Sequence, residues 1–175
     1  MLKGESLSEW FRIEARSKRN DVWLGVCGQG KPKITGDPWY MPDGVTSVYP
    51  FIVDWRPEEL PFPVWLAPYN GGKKFGDLLW TGGNALKIAS TRFIEALRAA
   101  EVTGYRTFAV EVRDHAGSPV EGYIGFATDP FPGSDIQNIY GQTVQNYVFI
   151  ATQRVVEALY DHGVDQLEIS PYTPD

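Results

Sequence analysis

The strongest constraint on the fold is an internal repeat in the second half of the chain. Residues 86–102 align without a gap on residues 148–164, at an offset of 62 residues, and seven of the seventeen positions are identical. The identical pairs are Ile88/Ile150, Ala89/Ala151, Arg92/Arg154, Glu95/Glu157, Ala96/Ala158, Leu97/Leu159 and Val102/Val164. Two capped amphipathic helices can converge on such a pattern, but an ungapped match of this length favours duplication.

Each copy of the repeat has the pattern of a strand, a helix and a second strand. A short apolar run leads to a hydroxyl residue, Ser90 or Thr152, which is a favourable helix N-cap. Apolar side chains then recur at helical spacing, and Gly104 and Gly163 lie where a left-handed residue commonly ends a helix. Alternation of polar and apolar residues after each glycine predicts a returning strand. The two units therefore cover about residues 86–112 and 148–170.

These units predict an α+β or α/β fold in which a mixed central β-sheet carries two helices. The chain has 175 residues, of which 43% are hydrophobic and 22% charged, a composition typical of a globular protein. A chain of this length suits one compact unit, so we assign residues 1–175 to a single domain.

The N-terminal half gives weaker structural signals. The pattern Ser6-x-x-Glu9 is a capping box and predicts a helix, whereas the alternation over residues 11–16 predicts a strand, and both interpretations stay open. Residues 22–27 and 48–55 are predicted strands. Residues 28–46, 56–77 and 128–146 are predicted loops, and loops of this length in a compact domain are commonly functional.

Charge and cysteine content narrow the class of protein. The net charge is −6, and the acidic excess lies in residues 88–175, so phosphates would repel the chain and nucleic acid is not an expected partner. A single cysteine, Cys27, excludes a disulfide framework and fits a reducing compartment. No apolar run approaches 18 residues and no signal-peptide pattern is visible, so we expect a cytoplasmic protein without a membrane partner.

The sequence contains no convincing constellation of catalytic residues. A G-x-S-x-G elbow is absent, and the glycine-rich residues 71–76 lack the spacing of a phosphate-binding loop. Cys27 ends an apolar run, where buried structural cysteines are commoner than nucleophiles. His115 and His162 are too few for a histidine-rich metal site, and a structural role is expected for both. We therefore predict no catalytic residue, no metal site and no cofactor, and classify the protein as a non-enzyme.

Two loops have the features of a binding surface. In residues 128–135 an aromatic residue, Phe131, lies between two prolines and is flanked by the carboxylates of Asp129 and Asp135. Prolines lower the entropy lost when such a loop becomes immobile at an interface, and aromatic residues are enriched at interface hot spots. Packing of the loop against its own domain is an equally acceptable interpretation. We predict that these three residues, with Tyr140, contact a partner.

The second candidate surface is the basic stretch of residues 70–77. Lys73, Lys74 and Phe75 place two positive charges beside an aromatic ring. A flexible basic turn without any function is the simpler interpretation of such a stretch. Because cations and aromatic rings both contribute to protein interfaces, we retain these three residues as predicted partner contacts.

The repeated unit also resembles a known family. The stretch from Asp77-Leu78-Leu79-Trp80 through Ser90-Thr91-Arg92-Phe93 to Thr103-Gly104-Tyr105 is similar to the strand–helix–strand pattern of immunity proteins from bacterial polymorphic toxin systems. The resemblance covers about residues 77–170, and the N-terminal third departs from it. It brings no catalytic or binding residue with it, because the family carries no conserved active site.

The resemblance implies an immunity protein, or antitoxin, that binds the catalytic domain of a cognate toxin and blocks it sterically. A narrower form of the resemblance is to the immunity factor of a necrotizing toxin that hydrolyses NAD+. The acidic half of the chain suits encounter with a basic active-site cleft. Two other interpretations stay open: a small enzyme with a carboxylate-based site under residues 128–146, and a peptide- or ligand-binding accessory domain.

Overall fold

A computed structural model describes residues 10–27, 41, 43, 45–48, 50–51, 54, 56–82, 86–139 and 148–173. Its strands are, in chain order, β1 Trp10–Ala15, β2 Trp23–Val26, β3 Val64–Pro68, β4 Leu78–Thr81, β5 Lys87–Ser90, β6 Tyr105–Phe108, β7 Val110–Arg113, β8 Pro119–Val120, β9 Tyr123–Thr128, β10 Ile136–Asn138, β11 Phe149–Thr152 and β12 Leu167–Tyr172. The helices are α1 Thr91–Ala99, α2 Gln153–Asp161 and a 3-10 turn at Pro57–Glu59.

The strands form two sheets, and the chain has the α+β fold that the repeat predicts. Eight strands make a mixed sheet in the order β6-β9-β5-β4-β2-β3-β7-β8, in which β2–β4 and β3–β7 are the parallel pairs. Four strands make an antiparallel sheet in the order β10-β11-β1-β12. The two helices are those of the repeat, with N-caps at Ser90 and Thr152.

Two buried clusters follow from the alternation of side chains along the strands. Ala89 and Phe126 point toward the helices and join a cluster that includes Ile13 and Phe149 from the four-stranded sheet. Ile88 precedes Ala89 in β5, so its side chain points to the opposite face of the eight-stranded sheet, where it belongs to a second cluster. The first cluster contains residues of both sheets and both helices, so the repeat units share one core.

The two repeat units have the same strand order, which extends the repeat beyond the residues that align in sequence. In the first unit, β4, β5, β9 and β6 are neighbours in that order, and in the second the order is β10, β11, β1 and β12. Strand β9 follows its unit in the chain, whereas β1 enters the equivalent position from the N-terminal side. Both strands are six residues long.

Residue pairing is also the same in the two units. Ala89 of β5 lies opposite Leu78 and Ile124, and its counterpart Ala151 lies opposite Ile136 and Phe11. The agreement places every strand of one unit in register with its counterpart. Duplication of a whole four-stranded unit explains this agreement better than convergence of two helices does.

In the first unit, an aspartate binds the residues at the start of helix α1. The Asp77 carboxylate accepts hydrogen bonds from Ser90 Oγ at 2.7 Å and from Arg92 Nε and Nη2 at 3.0 and 2.6 Å. Ser90 Oγ in turn accepts from the Phe93 amide at 3.1 Å, so the capping hydroxyl is held on both sides. This interaction fixes β4, β5 and α1 to one another.

Asp135 does the same in the second unit and adds a link between the units. Its Oδ2 accepts from Arg154 Nη1 at 3.1 Å, and its backbone carbonyl accepts from the Thr152 amide at 3.0 Å. Arg154 Nη2 also donates to the carbonyl of Ala100, at the end of α1. A cation is favourable there because the last carbonyls of a helix carry partial negative charge.

Gly104 shows how closely the units approach each other. Its φ is +93°, and a Cβ at this position would collide with the carbonyl oxygen of Ile136 in the second unit. Thr103, beside it, donates to Asp135 Oδ2 through both its amide and its hydroxyl at 2.9 Å. Gly104 does not end α1 as predicted, because Glu101, with a φ of +50°, is the left-handed residue that follows the C-cap Ala100. Gly104 instead permits close contact between the units.

Three sequence predictions need correction. In the predicted strand 48–55, the described residues 48, 50, 51 and 54 are not in a strand, because the Asp54 amide donates to the Pro50 carbonyl at 2.8 Å in a helical turn. The predicted loops 56–77 and 128–146 contain β3 and β10, respectively. The prolines around β3 pointed to a loop, although the strand itself contains only Pro68, at its end. Residues 11–15 are a strand, so the alternation there was the correct signal. Most of the predicted loop 28–46 lies outside the described residues.

We predict that Asp135→Asn lowers the free energy of unfolding by about 1–3 kcal/mol, because Arg154 and Thr103 lose a charged acceptor. Burial raises the pKa of Asp135, but the hydrogen bonds from Thr103 and the charge of Arg154 outweigh it, and the net pKa is lowered. The stabilisation is therefore present above the ordinary carboxyl pKa of 3.8 and is lost as the pH falls through the lower folded-state pKa.

Urea unfolding at neutral and acidic pH measures this difference. Glu95→Gln, at an exposed position of α1, is the matched control and should change stability by less than about 0.5 kcal/mol. Equal stabilities of the two variants would show that the Asp135 interactions contribute nothing.

Candidate functional site

The connection between β9 and β10, residues 129–135, is the strongest candidate for a binding site, and we call it the Pro-Phe-Pro loop. Its first residue, Asp129, accepts hydrogen bonds from the Phe131 amide at 2.9 Å and from Ser134 Oγ at 2.8 Å. Backbone bonds from Asp129 to Gly104 and from Asn138 to Asp129, both 2.8 Å, hold the loop at its base. The loop is therefore ordered by its own contacts before any partner binds.

Phe131 lies at the tip of this loop with 64% of its surface exposed. Pro132 and Gly133 beside it are also exposed, whereas Asp129 and Asp135 are partly buried. The carboxylates predicted to flank the aromatic ring thus support the loop from below, and the tip itself is uncharged.

The base of the loop contains a buried polar group that the sequence did not reveal. Thr128 and Asn138 are at most 3% exposed, and Thr128 Oγ1 donates to Asn138 Oδ1 at 2.6 Å. Lys87 lies on the neighbouring strand, opposite Phe126 and two residues from the Thr128 position, and is 1% exposed. Burial lowers the pKa of Lys87 to about 7.

The two sheets meet at two equivalent junctions, and this polar group occurs at only one of them. At the equivalent positions of the other junction the residues are apolar or aromatic. Each residue of the polar group and its counterpart at the other junction are Lys87 and Phe149, Thr128 and Ala15, and Asn138 and Trp80. The sequence carried a signal only for Lys87, which faces Phe149 in the aligned repeat, because the other two equivalences depend on the strand pairing.

The second predicted surface, residues 70–77, is also ordered. Asn70 Oδ1 accepts from the Trp23 amide at 2.9 Å, and Asn70 Nδ2 donates to the Asp21 carbonyl at 2.9 Å. Lys73 and Lys74 are exposed, and the ring of Phe75 packs against another ring, that of Tyr123. The flexible-turn interpretation of this stretch is therefore wrong.

The predicted contact residues thus divide into three groups. Phe131, Lys73 and Lys74 are exposed and available to a partner. Three others, Asp129, Asp135 and Phe75, make the internal contacts given above. Tyr140 lies outside the described residues.

Several carboxyl groups have a shifted pKa, and the causes are hydrogen bonds and ion pairs. Asp21 and Asp43 have lowered pKa values, the first through Arg16 and the second through Thr46, as Asp135 does through Thr103 and Arg154. These three are therefore ionised at neutral pH and cannot serve as general acids there. Burial raises the pKa of Cys27 to about 11, which keeps its thiol protonated and fits the structural role expected for it.

Other features of the described residues bear on the class of site. No group of three or more His, Cys, Asp and Glu side chains among them could hold a metal ion. His115 Nε2 lies 2.8 Å from the Gly72 carbonyl, and His162 Nδ1 lies 3.0 Å from the Ala158 carbonyl at the end of α2. No helix in the described part of the chain is long and apolar enough to cross a membrane.

Comparison with known proteins does not assign this chain. No protein-family model matches the sequence, and no curated protein matches it.

We predict that Lys87→Met removes a rise in stability between pH 7 and 9. In this window the unfolded chain holds a proton on Lys87, whose ordinary pKa is 10.5, whereas the folded chain with a pKa of about 7 has released it. The native protein must therefore become more stable as the pH rises, and the variant must lose that part of the slope. Urea unfolding at several pH values measures it.

Lys73→Met is the matched control, since Lys73 is exposed. Parallel stability profiles for the wild type and Lys87→Met would show that Lys87 keeps its proton in the folded protein.

Proposed function

We propose that this protein is an immunity protein that binds the catalytic domain of a bacterial toxin and occludes its active site. The observation that carries the proposal is the exposed ring of Phe131 on a loop that is held at its base and capped internally. An NAD+ glycohydrolase domain is the first toxin activity to test, because the narrower resemblance implies it.

Burial of the Phe131 ring supplies the affinity in this proposal. A phenyl ring moved from water into a pocket contributes roughly 2 kcal/mol, and aromatic anchors of this kind dominate many interfaces. Because Asp129 already orders the loop, little conformational entropy is lost on binding. A rigid loop with an apolar tip suits steric occlusion, which needs no chemistry from the inhibitor.

The support for a toxin as the partner is the resemblance over residues 77–170. The Ser-x-x-Phe stretch that carries the resemblance includes Ser90 and Phe93, which form the N-cap of α1. The resembling residues thus build the scaffold, and the Pro-Phe-Pro loop is left to meet a specific partner.

Electrostatics acts in this proposal through the whole molecule and not through the loop tip. The carboxylates of Asp129 and Asp135 are hydrogen-bonded internally, so they contribute little to direct contacts with a partner. The net charge of −6 instead raises the rate of encounter with a basic cleft, an effect that salt weakens.

The test of the proposal begins with the tagged chain as bait in a lysate of its native host. A captured protein that carries a toxin domain is then purified, its activity is measured on its own substrate, with NAD+ hydrolysis assayed first, and the bait is added back. Inhibition at one-to-one stoichiometry supports the proposal. A captured protein whose activity is unaffected by the bait contradicts it.

We predict that Phe131→Ala weakens binding to the toxin domain by about thirtyfold or more, which corresponds to roughly 2 kcal/mol. Tyr160→Ala is the matched control, because Tyr160 is 58% exposed on α2 and its loss removes a ring of similar area. It should change affinity by less than about twofold. Titration calorimetry measures both, and equal affinities of the two variants would remove Phe131 from the interface.

A further inference from the structure

A concentration of positive charge lies on two loops that are far apart in the sequence. Lys18 and Arg19 belong to the connection between β1 and β2, and Lys73 and Lys74 to the stretch before β4. All four side chains belong to exposed residues. We call them the basic platform. The sequence revealed only its second half, because nothing in the sequence shows that the two loops meet.

Backbone hydrogen bonds lock the two loops of the platform together. The amides of Lys73 and Lys74 donate to the same carbonyl, that of Asn20, at 3.0 and 2.8 Å. The Val22 amide donates to the Lys74 carbonyl at 2.9 Å, which makes Asp21 and Lys74 a parallel bridge. Since Asn20 directly follows Lys18 and Arg19, the four cations are held within a small area.

Close packing makes this arrangement rigid. Gly72 lies so near the chain at Asp21 that a Cβ would collide with the Asp21 carbonyl oxygen. The Asp21 amide also donates to the Lys18 carbonyl at 2.9 Å, which closes a tight turn with Arg19 at its tip. The platform therefore exists before any ligand arrives.

The carboxylate of Asp21, next to the platform in the chain, is engaged mainly by Arg16, and the charge of Lys74 makes a smaller contribution to its lowered pKa. Arg16 engages the Asp21 carboxylate with two hydrogen bonds of 2.7 and 3.0 Å, and Asp21 is 5% exposed. The bond from Arg16 is the main reason that the pKa of Asp21 is lowered. In the described part of the chain the four cations of the platform make no ion pair, so their charge faces outward on a protein whose net charge is −6.

We propose that the basic platform docks an acidic surface of a partner protein. Tyr69, with 64% of its surface exposed, lies directly before Asn70 in the same loop and offers an aromatic contact beside the cations. Aromatic residues, tyrosine among them, are enriched in protein interfaces. This docking surface is additional to the Pro-Phe-Pro loop and does not depend on toxin inhibition.

Size favours a protein over a nucleic acid as the occupant. Four charges on two short loops match a compact acidic patch, whereas a nucleic acid extends beyond the platform along a protein whose net charge is −6. A protein's acidic patch ends where the platform ends, so it gains the attraction without the repulsion.

The test uses the intact protein labelled with ¹⁵N and a short poly-glutamate peptide as the probe. Titration at low salt should shift the amide signals of the basic platform, and added salt should reverse the shifts. The double variant Lys73→Glu, Lys74→Glu should weaken binding of the peptide by about tenfold or more. Because both side chains are exposed, its spectrum should otherwise match that of the wild type.

Arg98→Glu is the control, since Arg98 is an exposed cation of α1 outside the platform. It should alter the affinity by less than about twofold, whereas Lys18→Glu should weaken it as Lys73→Glu does. An unchanged affinity in the double variant would overturn the proposal. Tighter binding of an oligothymidylate of matched charge would also overturn it, in favour of a nucleic-acid site. Neither result would affect the proposed inhibition of a toxin, which is measured on a different surface.

Discussion

The architecture depends on one interaction made twice, the aspartate that receives an arginine from the first turn of a helix. Asp77 with Arg92, and Asp135 with Arg154, tie a strand end to a helix start in each unit. Charged hydrogen bonds are strong where water is partly excluded, and here they fix the angle at which the helix leaves the sheet. Arg154 also donates to the Ala100 carbonyl at the end of α1, so the interaction between Asp135 and Arg154 also fixes one unit against the other.

The sequence predicted what is local and missed what depends on distant contacts. The strands and helices of the repeat were visible because they follow apolar spacing, and the hydroxyl of Ser90 caps α1 as predicted. Thr152 occupies the N-cap position of α2, but its side chain makes no capping hydrogen bond. The two aspartate–arginine interactions were not visible in the sequence, because the paired residues Ile136 and Ala151 of the second unit are four residues further apart in the chain than Leu78 and Ala89 of the first. This difference moves Asp77 and Asp135 out of alignment. The equivalence of β1 and β9 left no sequence trace at all, since none of their six aligned residues is identical.

The candidate site shows the same division between local and distant information. The Pro-Phe-Pro composition left an exposed ring and a ring packed against the domain equally acceptable, and the structure shows Phe131 exposed. The inward direction of Asp135 could not be predicted, because its partners Thr103 and Arg154 come from elements on either side of it. Likewise Lys73 and Lys74 were visible, whereas the turn of Lys18 and Arg19 joins them only through the fold. Both surfaces lie on loops, as predicted, and hydrogen bonds hold both in place.

The position of β1 has a consequence for the order of folding. The first unit is built from neighbouring segments, so its strands can pair soon after they collapse. In the second sheet β1 lies between β11 and β12. Most of the chain lies between β1 and these two strands, so it must fold or form a long loop before they can pair. We therefore expect the second sheet to form late, and its interior edges at β11 and β12 to be the surfaces through which incompletely folded chains associate.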